Sequence, residues 1–384
     1  MNIYLDNAAT TPLDPEVFEA MKPYMLEYFG NPSSIHAQGR RVRAGIESSR
    51  KKIAELLNCT PGEIIFTSGG TEADNAILCG AVQTFAIKDI ITSRIEHHAV
   101  IHTLEHLAKR QDVRIHFVDL DEKGHVDMAS LEALLRQHEG ALISLMHANN
   151  EIGNLLDIQR VGELADSYHA YFHSDTVQTV GHYRHDLSKI NLHGMAAAAH
   201  KFHGPKGIGF KFINRNKKIN PFVYGGSQER NMRGGTENVY GIIGLVKALE
   251  IAYREMEEHT RYIKSLKSRM IEKLKAHIPG VSFHGDSADL DRSLYTVLNI
   301  SLPESEENNM LLFNLDLQGI CASGGSACSS GATQGSHVLA AIYPGSKRGA
   351  VRFSFSKYNT PGEIDLAAKA LAELTGVALP SSTG

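Results

Sequence analysis

The run Ala196-Ala197-Ala198-Ala199-His200-Lys201 ends an apolar stretch on a single lysine, and the turn Phe202-His203-Gly204-Pro205-Lys206-Gly207 follows at once. Burial at the exit of a strand disfavours an ammonium. A neutral amine there is the nucleophile that captures a carbonyl, so Schiff-base chemistry is one reading of Lys201. A solvated lysine beside a Gly-Pro turn is the other. A second stretch, Ile64-Ile65-Phe66-Thr67 followed by Ser68-Gly69-Gly70-Thr71-Glu72, reads as strand, glycine turn and helix start. Such a turn offers free N–H groups and the positive end of a helix dipole to a phosphate. The same turn also occurs without a ligand, and it carries neither the dinucleotide nor the P-loop glycine pattern.

Other polar groups follow apolar strands. Asp175, in Tyr171-Phe172-His173-Ser174-Asp175-Thr176-Val177-Gln178, either caps the next helix or holds the protonated ring nitrogen of a pyridoxal group. Gln178 is an amide donor for that ring's phenolic oxygen or a plain helix amide. Met146-His147-Ala148-Asn149-Asn150-Glu151 ends another strand in side chains that a buried loop carries for a purpose. His97, after the strand Asp89–Ser93, is placed to stack on a flat ring and to move protons near neutral pH, or is a satisfied loop histidine. The stretch Ala322-Ser323-Gly324-Gly325-Ser326-Ala327-Cys328-Ser329-Ser330-Gly331-Ala332 has too little bulk for a core and is expected to be a mobile loop with an accessible thiol at Cys328. Cys59, Cys79 and Cys321 suit the role of small buried hydrophobes better.

Positioning these groups requires an alternation of strands and helices. Strands are expected at Glu63–Thr67, Asp89–Ser93, Arg114–Val118, Ala141–Met146, Tyr171–Ser174, Met195–Ala199 and Gly207–Phe212. Helices are expected at Glu72–Ala86, Ala99–Arg110, Met128–Gln137 and Ile158–Tyr168. That order implies an α/β fold, a mainly parallel seven-stranded sheet covered on both faces. Val239–His277 reads as one long or broken helix leading to a smaller α+β domain with strands Val297–Ser301 and Ala350–Phe355 and a helix Pro361–Leu374. The expected division is a large domain over 15–255 and a small domain from 1–14 and 256–384 that carries the cysteine loop at 322–335. The tail Ala378–Gly384 is expected to be disordered.

The 384 residues suffice for such a pair of domains, and a net charge of −4 gives no reason to expect nucleic acid. The apolar segments are short, so no membrane span is expected, and the opening residues lack the basic flank and apolar core of a signal peptide. The four cysteines form no CxxC pair, and His97, His98, His106 and His203 form no ligand set with cysteines or acids at helical spacing. No resident metal is expected, Cys328 at most ligating a cluster transiently. A reduced, cytoplasmic enzyme is the expectation.

Taken in order, these motifs resemble the cysteine desulfurases, fold-type I pyridoxal-phosphate enzymes of the class V aminotransferase group. The resemblance runs from Tyr4-Leu5-Asp6-Asn7-Ala8-Ala9-Thr10-Thr11 through Gly30-Asn31-Pro32-Ser33-Ser34, the glycine turn, the histidine, asparagine, aspartate and lysine motifs and Gly234-Gly235-Thr236-Glu237-Asn238, to the Cys328 loop and Val351-Arg352-Phe353-Ser354. The loop resembles that of the iron–sulfur-assembly and nitrogen-fixation branch. The resemblance implies pyridoxal 5'-phosphate as cofactor, bonded to Lys201, paired at its ring nitrogen by Asp175, approached at its phenolic oxygen by Gln178 and Asn150, and stacked by His97. Thr71, Glu72 through its backbone and His200 would hold the phosphate, and Thr236 would reach the cofactor of a partner subunit in a homodimer. Arg352 with Asn150 would clamp the carboxylate of L-cysteine. Lys201 and His97 would serve as acid–base groups and Cys328 as the sulfur acceptor, leaving alanine and a persulfide for an iron–sulfur scaffold or another acceptor. A selenocysteine lyase, a class V aminotransferase and a partner-dependent sulfur donor are the rival readings. The chain departs from the family at Ala198, where a serine usually binds the phosphate.

Overall fold

The computed structural model describes residues 2–110, 112–324 and 335–376. Cys328 and the tail Ala378–Gly384 lie outside the described residues. After a short strand β1 (Ile3–Tyr4), helices α1 (Pro15–Leu26) and α2 (Ala37–Leu56) lead to β2 (Ile64–Thr67) and α3 (Gly70–Phe85). Then come β3 (Asp89–Thr92), α4 (His98–Arg110), β4 (Arg114–Phe117), α5 (Met128–Gln137), β5 (Leu142–Ser144), α6 (Ile158–Ser167), β6 (Tyr171–Asp175), β7 (Gly194–Ala198) and β8 (Gly209–Ile213). Helices α7 (Val239–Arg254) and α8 (Met256–His277) precede β9 (Ser282–Phe283), β10 (Val297–Leu302), α9 (Leu311–Leu317), β11 (Ile320–Cys321), α10 (His337–Ile342), β12 (Gly349–Ser354) and α11 (Pro361–Leu374).

Seven strands form one sheet in the order β2-β8-β7-β6-β5-β3-β4. It is parallel except for β8, which runs antiparallel to both β7 and β2. Every residue of β6, β7 and β8 is buried, as expected for strands with helices on both faces. Alanines at 196–198 keep β7 slim beside its neighbours, so the sheet delivers Lys201 without bulky competition at its end. Two expected strands are trimmed for visible reasons. Gly207, at φ +75°, belongs to the turn before β8, and Leu145 and His147 still donate to carbonyls of β6 but leave the strand to enter the site. The expected long helix is two, separated at Glu255, which caps the first without helical geometry.

The apolar core divides along the same line. One cluster joins α1, α2 and α7 to the sheet, down to Met256. Another starts at Ile263 of α8 and joins Ile3 and Leu5 to α9, α11, β10 and β12. In the second cluster β10 is the central strand, antiparallel to β12 and β9.

Asp14 ties the two. It caps α1 by accepting from the Glu16 N–H at 2.8 Å, and Pro15 supplies the favourable first helical position. Its other oxygen accepts from Lys357 Nζ at 2.6 Å and Tyr358 Oη at 2.8 Å. Burial alone would raise its pKa, but these donors hold it down at about 2. A carboxylate depressed in the folded state adds stability that is complete above its unfolded pKa and is lost as pH falls through the folded value. Asp14→Asn is therefore expected to lower stability at neutral pH and to flatten the loss of stability between about pH 4 and 2. Denaturant titrations of both proteins across that range would show the difference, and parallel profiles would refute it.

Candidate active site

Lys201 closes a short helical turn, residues 199–201, directly after β7. Its Nζ donates to the carbonyls of Ala8 at 2.6 Å and Ala9 at 3.0 Å. The N-terminal segment is itself fastened over this strand end. Ala8 N–H donates to Ser354 Oγ at 2.8 Å, Thr11 N–H to the His200 carbonyl at 2.9 Å, and His203 N–H to Thr11 Oγ1 at 2.8 Å. The motif at residues 4–11 thus gains a physical reason: it supplies carbonyls to the lysine amine and ties β12 to β7.

Lys201 opens on a cleft lined also by Thr71, Asp74, His97, Asn150, Asp175, Gln178, Ala198, His200 and Arg352. The cleft lies where β3, β5, β6 and β7 end, the place where parallel α/β sheets bind ligands. Asp175 is the last residue of β6, 6% exposed, and one of its oxygens accepts from the Val177 N–H at 2.9 Å. Burial raises its pKa, opposed by His97, that N–H and Lys201. A cation placed in the cleft relieves the same burial and favours its charged form. His97 is held neutral by burial, against the pull of Asp175. Its Nδ1 accepts from the Ala99 N–H at 3.1 Å, which puts the ring proton on Nε2. Gln178 Nε2 donates to the Ala8 carbonyl at 3.0 Å and retains a second N–H for a ligand.

The glycine turn forms an anion cradle. The first main-chain bond of α3 runs from Ala73 N to Gly69 O, so the N–H groups of Gly70, Thr71 and Glu72 precede it. A side chain at Gly70 would put its Cβ 2.6 Å from Val177 Cγ2 and 3.7 Å from Ala198 Cβ. The turn therefore needs glycine, and Ala198 faces it. The Glu72 carboxylate turns away to Arg233 at 3.0 and 3.1 Å, leaving only its backbone for an anion. His200 lines the cleft with Nδ1 3.1 Å from Thr10 Oγ1. Anion cradle, primary amine, buried carboxylate and flat neutral imidazole in one cleft fit pyridoxal phosphate.

Arg352, 1% exposed in β12, donates through Nη2 to Asp6 Oδ1 at 2.7 Å and through Nη1 to the Asn150 carbonyl at 2.9 Å. Its Nε is buried and has no hydrogen-bond partner among the described residues. The sequence reading missed Asp6, whose charge offsets this buried guanidinium. It also missed Asp74, fully buried with Oδ1 3.2 Å from His173 Nε2. Burial, then the nearby Asp175 and Glu96, raise its pKa well above the usual carboxylate range, which disfavours charge on Asp74 and Asp175 together. An aspartate between Ala73 and Ala76 on the buried face of α3 was the available signal. Thr236 is exposed and does not line the cleft, and Cys328 is outside the described residues.

Both roots of the segment carrying Cys328 nevertheless attach to the cleft wall. Ser323 pairs with Arg352 through reciprocal main-chain bonds of 3.2 and 2.6 Å. On the other side, Ser336 Oγ donates to the Glu151 carboxylate, and His337 lies 3.2 Å from His98 and 2.9 Å from the Glu96 carbonyl.

The sequence profile of Aminotransferase class-V matches residues 3–366. The cysteine desulfurase IscS of Dictyoglomus turgidum is 43% identical over 367 residues, covering 94% of this chain and 92% of the relative. The cysteine desulfurase IscS of Methanosarcina thermophila is 42% identical over 378 residues, covering 97% and 91%. A solved NifS-like protein superposes with a TM-score of 0.90 at 35% identity, covering 98% of this chain and all of the other. The chain belongs to the class-V aminotransferase family, among its pyridoxal-phosphate-dependent cysteine desulfurases.

The departure at Ala198 has a measurable consequence. Its Cβ faces the cradle, so a serine hydroxyl there would lie beside a bound phosphate. A hydrogen bond to a charged group contributes about 1.5–3 kcal/mol. Ala198→Ser is expected to lower the dissociation constant for pyridoxal phosphate on the order of 10- to 100-fold. Equilibrium dialysis of the two proteins measures this, and equal retention would show that the site already compensates.

Proposed function

We propose that this cleft removes sulfur from L-cysteine, giving L-alanine and a persulfide on Cys328, and that the roles of its residues follow their positions. The observation that most supports the reading is the convergence of Lys201, Asp175, His97 and the glycine cradle on one cleft whose wall also holds both roots of the Cys328 segment. Pyridoxal phosphate supplies an aldehyde that condenses with amines and a ring that accepts electrons from the substrate.

In this proposal Gly70, Thr71, Glu72 and His200 bind the phosphate by N–H groups, hydroxyl and imidazole. Lys201 Nζ would hold the aldehyde, and the same amine is the base that would take the proton from the substrate Cα. Asp175 carries the negative charge that keeps the ring nitrogen protonated, with Asp74 neutral beside it so that only one carboxylate of the pair is ionised. His97 stacks on the ring and carries protons at Nε2. Gln178 and Asn150 orient the ring through its phenolic oxygen. The Arg352 guanidinium, which lines the cleft, donates to a carboxylate oxygen of cysteine, with Asn150 beside it.

Cys328 as thiolate attacks the substrate sulfur. An S–S bond forms as the C–S bond breaks, and the electron pair of the broken bond goes to the carbon skeleton, which becomes alanine on protonation. The persulfide then passes sulfur to an iron–sulfur scaffold or another thiol acceptor. Thr236, exposed here, reaches a partner's cofactor in a homodimer. A reducing cytoplasm suits a reaction that needs a free thiol.

Incubation of the holoenzyme with L-cysteine and a thiol reductant is the test. Alanine and sulfide in equal amounts support the proposal. Cofactor absorbance with transamination products and no sulfide would overturn it.

A further inference from the structure

A second cluster of ligating side chains lies at the opposite end of the sheet from Lys201. Asp89 begins β3, and the parallel register of β3 with β4 sets Asp89 opposite Arg114 and Ile91 opposite His116, so Asp89, Arg114 and His116 share a face at the edge of the sheet. His138 caps the C-terminus of α5 and reaches the same point. Asp89 Oδ1 lies 2.8 Å from His116 Nε2 and 3.4 Å from His138 Nδ1, and the two imidazoles stack with centroids 3.8 Å apart and planes 23° apart. The three ligand atoms all fall within 4.8 Å of one another, each on a partly buried residue.

The geometry points to a binding site for a divalent transition ion of the zinc class, held by Asp89, His116 and His138 with an open fourth position. Ligands at Zn–N and Zn–O distances of about 2.0–2.1 Å stand about 3.3 Å apart on the edges of a tetrahedron. Two of the three edges, 2.8 and 3.4 Å, bracket that spacing, and the third lies within 4.8 Å. Hydrogen bonding alone explains the cluster less well. Asp89 Oδ1 already faces Arg114 Nε at 2.9 Å and His116 Nε2 at 2.8 Å, which occupies its two lone pairs. A third nitrogen converging on that oxygen gains little from it, whereas a shared cation gives all three atoms a common partner. Imidazole and carboxylate together suit zinc rather than calcium or magnesium. Arg114 competes for the carboxylate through a fork, Nε to Oδ1 at 2.9 Å and Nη2 to Oδ2 at 2.8 Å, which a bound cation has to displace.

The ion would staple β3 and β4 at the sheet edge to the end of α5 and leave the cleft untouched. Calorimetric titration of the holoenzyme with Zn²⁺ is expected to show one equivalent per chain that weakens on the order of 100-fold in both His116→Ala and His138→Asn. Arg114→Ala should bind more tightly than the wild type, because it frees the carboxylate. Sulfide release by the two histidine variants, measured without added metal, reports that each is folded and is expected to match the wild type. Co²⁺ added to the wild type should give the visible bands of a tetrahedral N/O site. Unchanged zinc affinity in both histidine variants, or a Co²⁺ spectrum dominated by thiolate charge transfer, would overturn the assignment.

Discussion

Cys328→Ala is expected to stop sulfide release from L-cysteine, by on the order of 10³-fold or more, while the visible absorbance of the bound cofactor persists. The reasoning separates two tasks. The groups that this chain offers its own cofactor lie at the start of α3 and in the segments that end or follow β3, β5, β6 and β7, none of which contains Cys328. Removing the thiol therefore leaves cofactor binding and substrate recognition by Arg352 in place. What disappears is the acceptor for the substrate sulfur, and no other cysteine substitutes. Burial raises the pKa of Cys59 to about 12 and pushes those of Cys79 and Cys321 upward, so these thiols hold little thiolate at neutral pH. Alanine and sulfide assays on the same sample decide the matter. Undiminished sulfide from the variant would assign the transfer to another group.

Lys201→Ala is expected to lose both attachment of the cofactor and turnover. A positioned base alone contributes about 10²–10⁴-fold, and loss of the covalent hold adds to it. The amine is pinned by the Ala8 and Ala9 carbonyls. Its removal therefore also unties the N-terminal segment, whereas Lys201→Arg keeps a donor of positive charge without a usable nucleophile. The two variants should be equally inactive but differ in thermal stability, with the arginine form nearer the wild type. Sulfide release from L-cysteine by either variant would refute the role. Mass spectrometry after borohydride reduction gives a second readout, a stable adduct in the wild type alone.

The strands of the seven-stranded sheet were legible in the sequence because most are short buried runs closed by turn residues, and their ends fall close to the expected ones. The two-residue strands β1, β9 and β11 were not read. Helices α1 and α2 were not read. In α2 the apolar positions Val42, Ile46 and Ile53 are scattered among six arginines and lysines, so its buried stripe is thin. Lys201, Asp175, His97 and the glycine turn announced themselves because each stands at the end of its own strand. Asp6 and Asp74 did not, since their importance comes from what they meet across the fold: a guanidinium on β12 and a second carboxylate on β6. The Asp89, His116 and His138 cluster was equally hidden. Strand register and a helix end, rather than spacing along the chain, bring it together.

The fixed roots of the cysteine segment set a leash. Four peptide units separate Gly324, beside the anchored Ser323, from Cys328. A fully extended chain of that length spans about 14 Å. The side chain adds about 3 Å, so the Cys328 sulfur stays within roughly 17 Å of the Gly324 Cα. In the proposed reaction an acceptor therefore has to come within that radius of Gly324 to take the sulfur. Residues added between Gly324 and Cys328 would widen that radius by about 3.5 Å each, and residues removed would narrow it by as much.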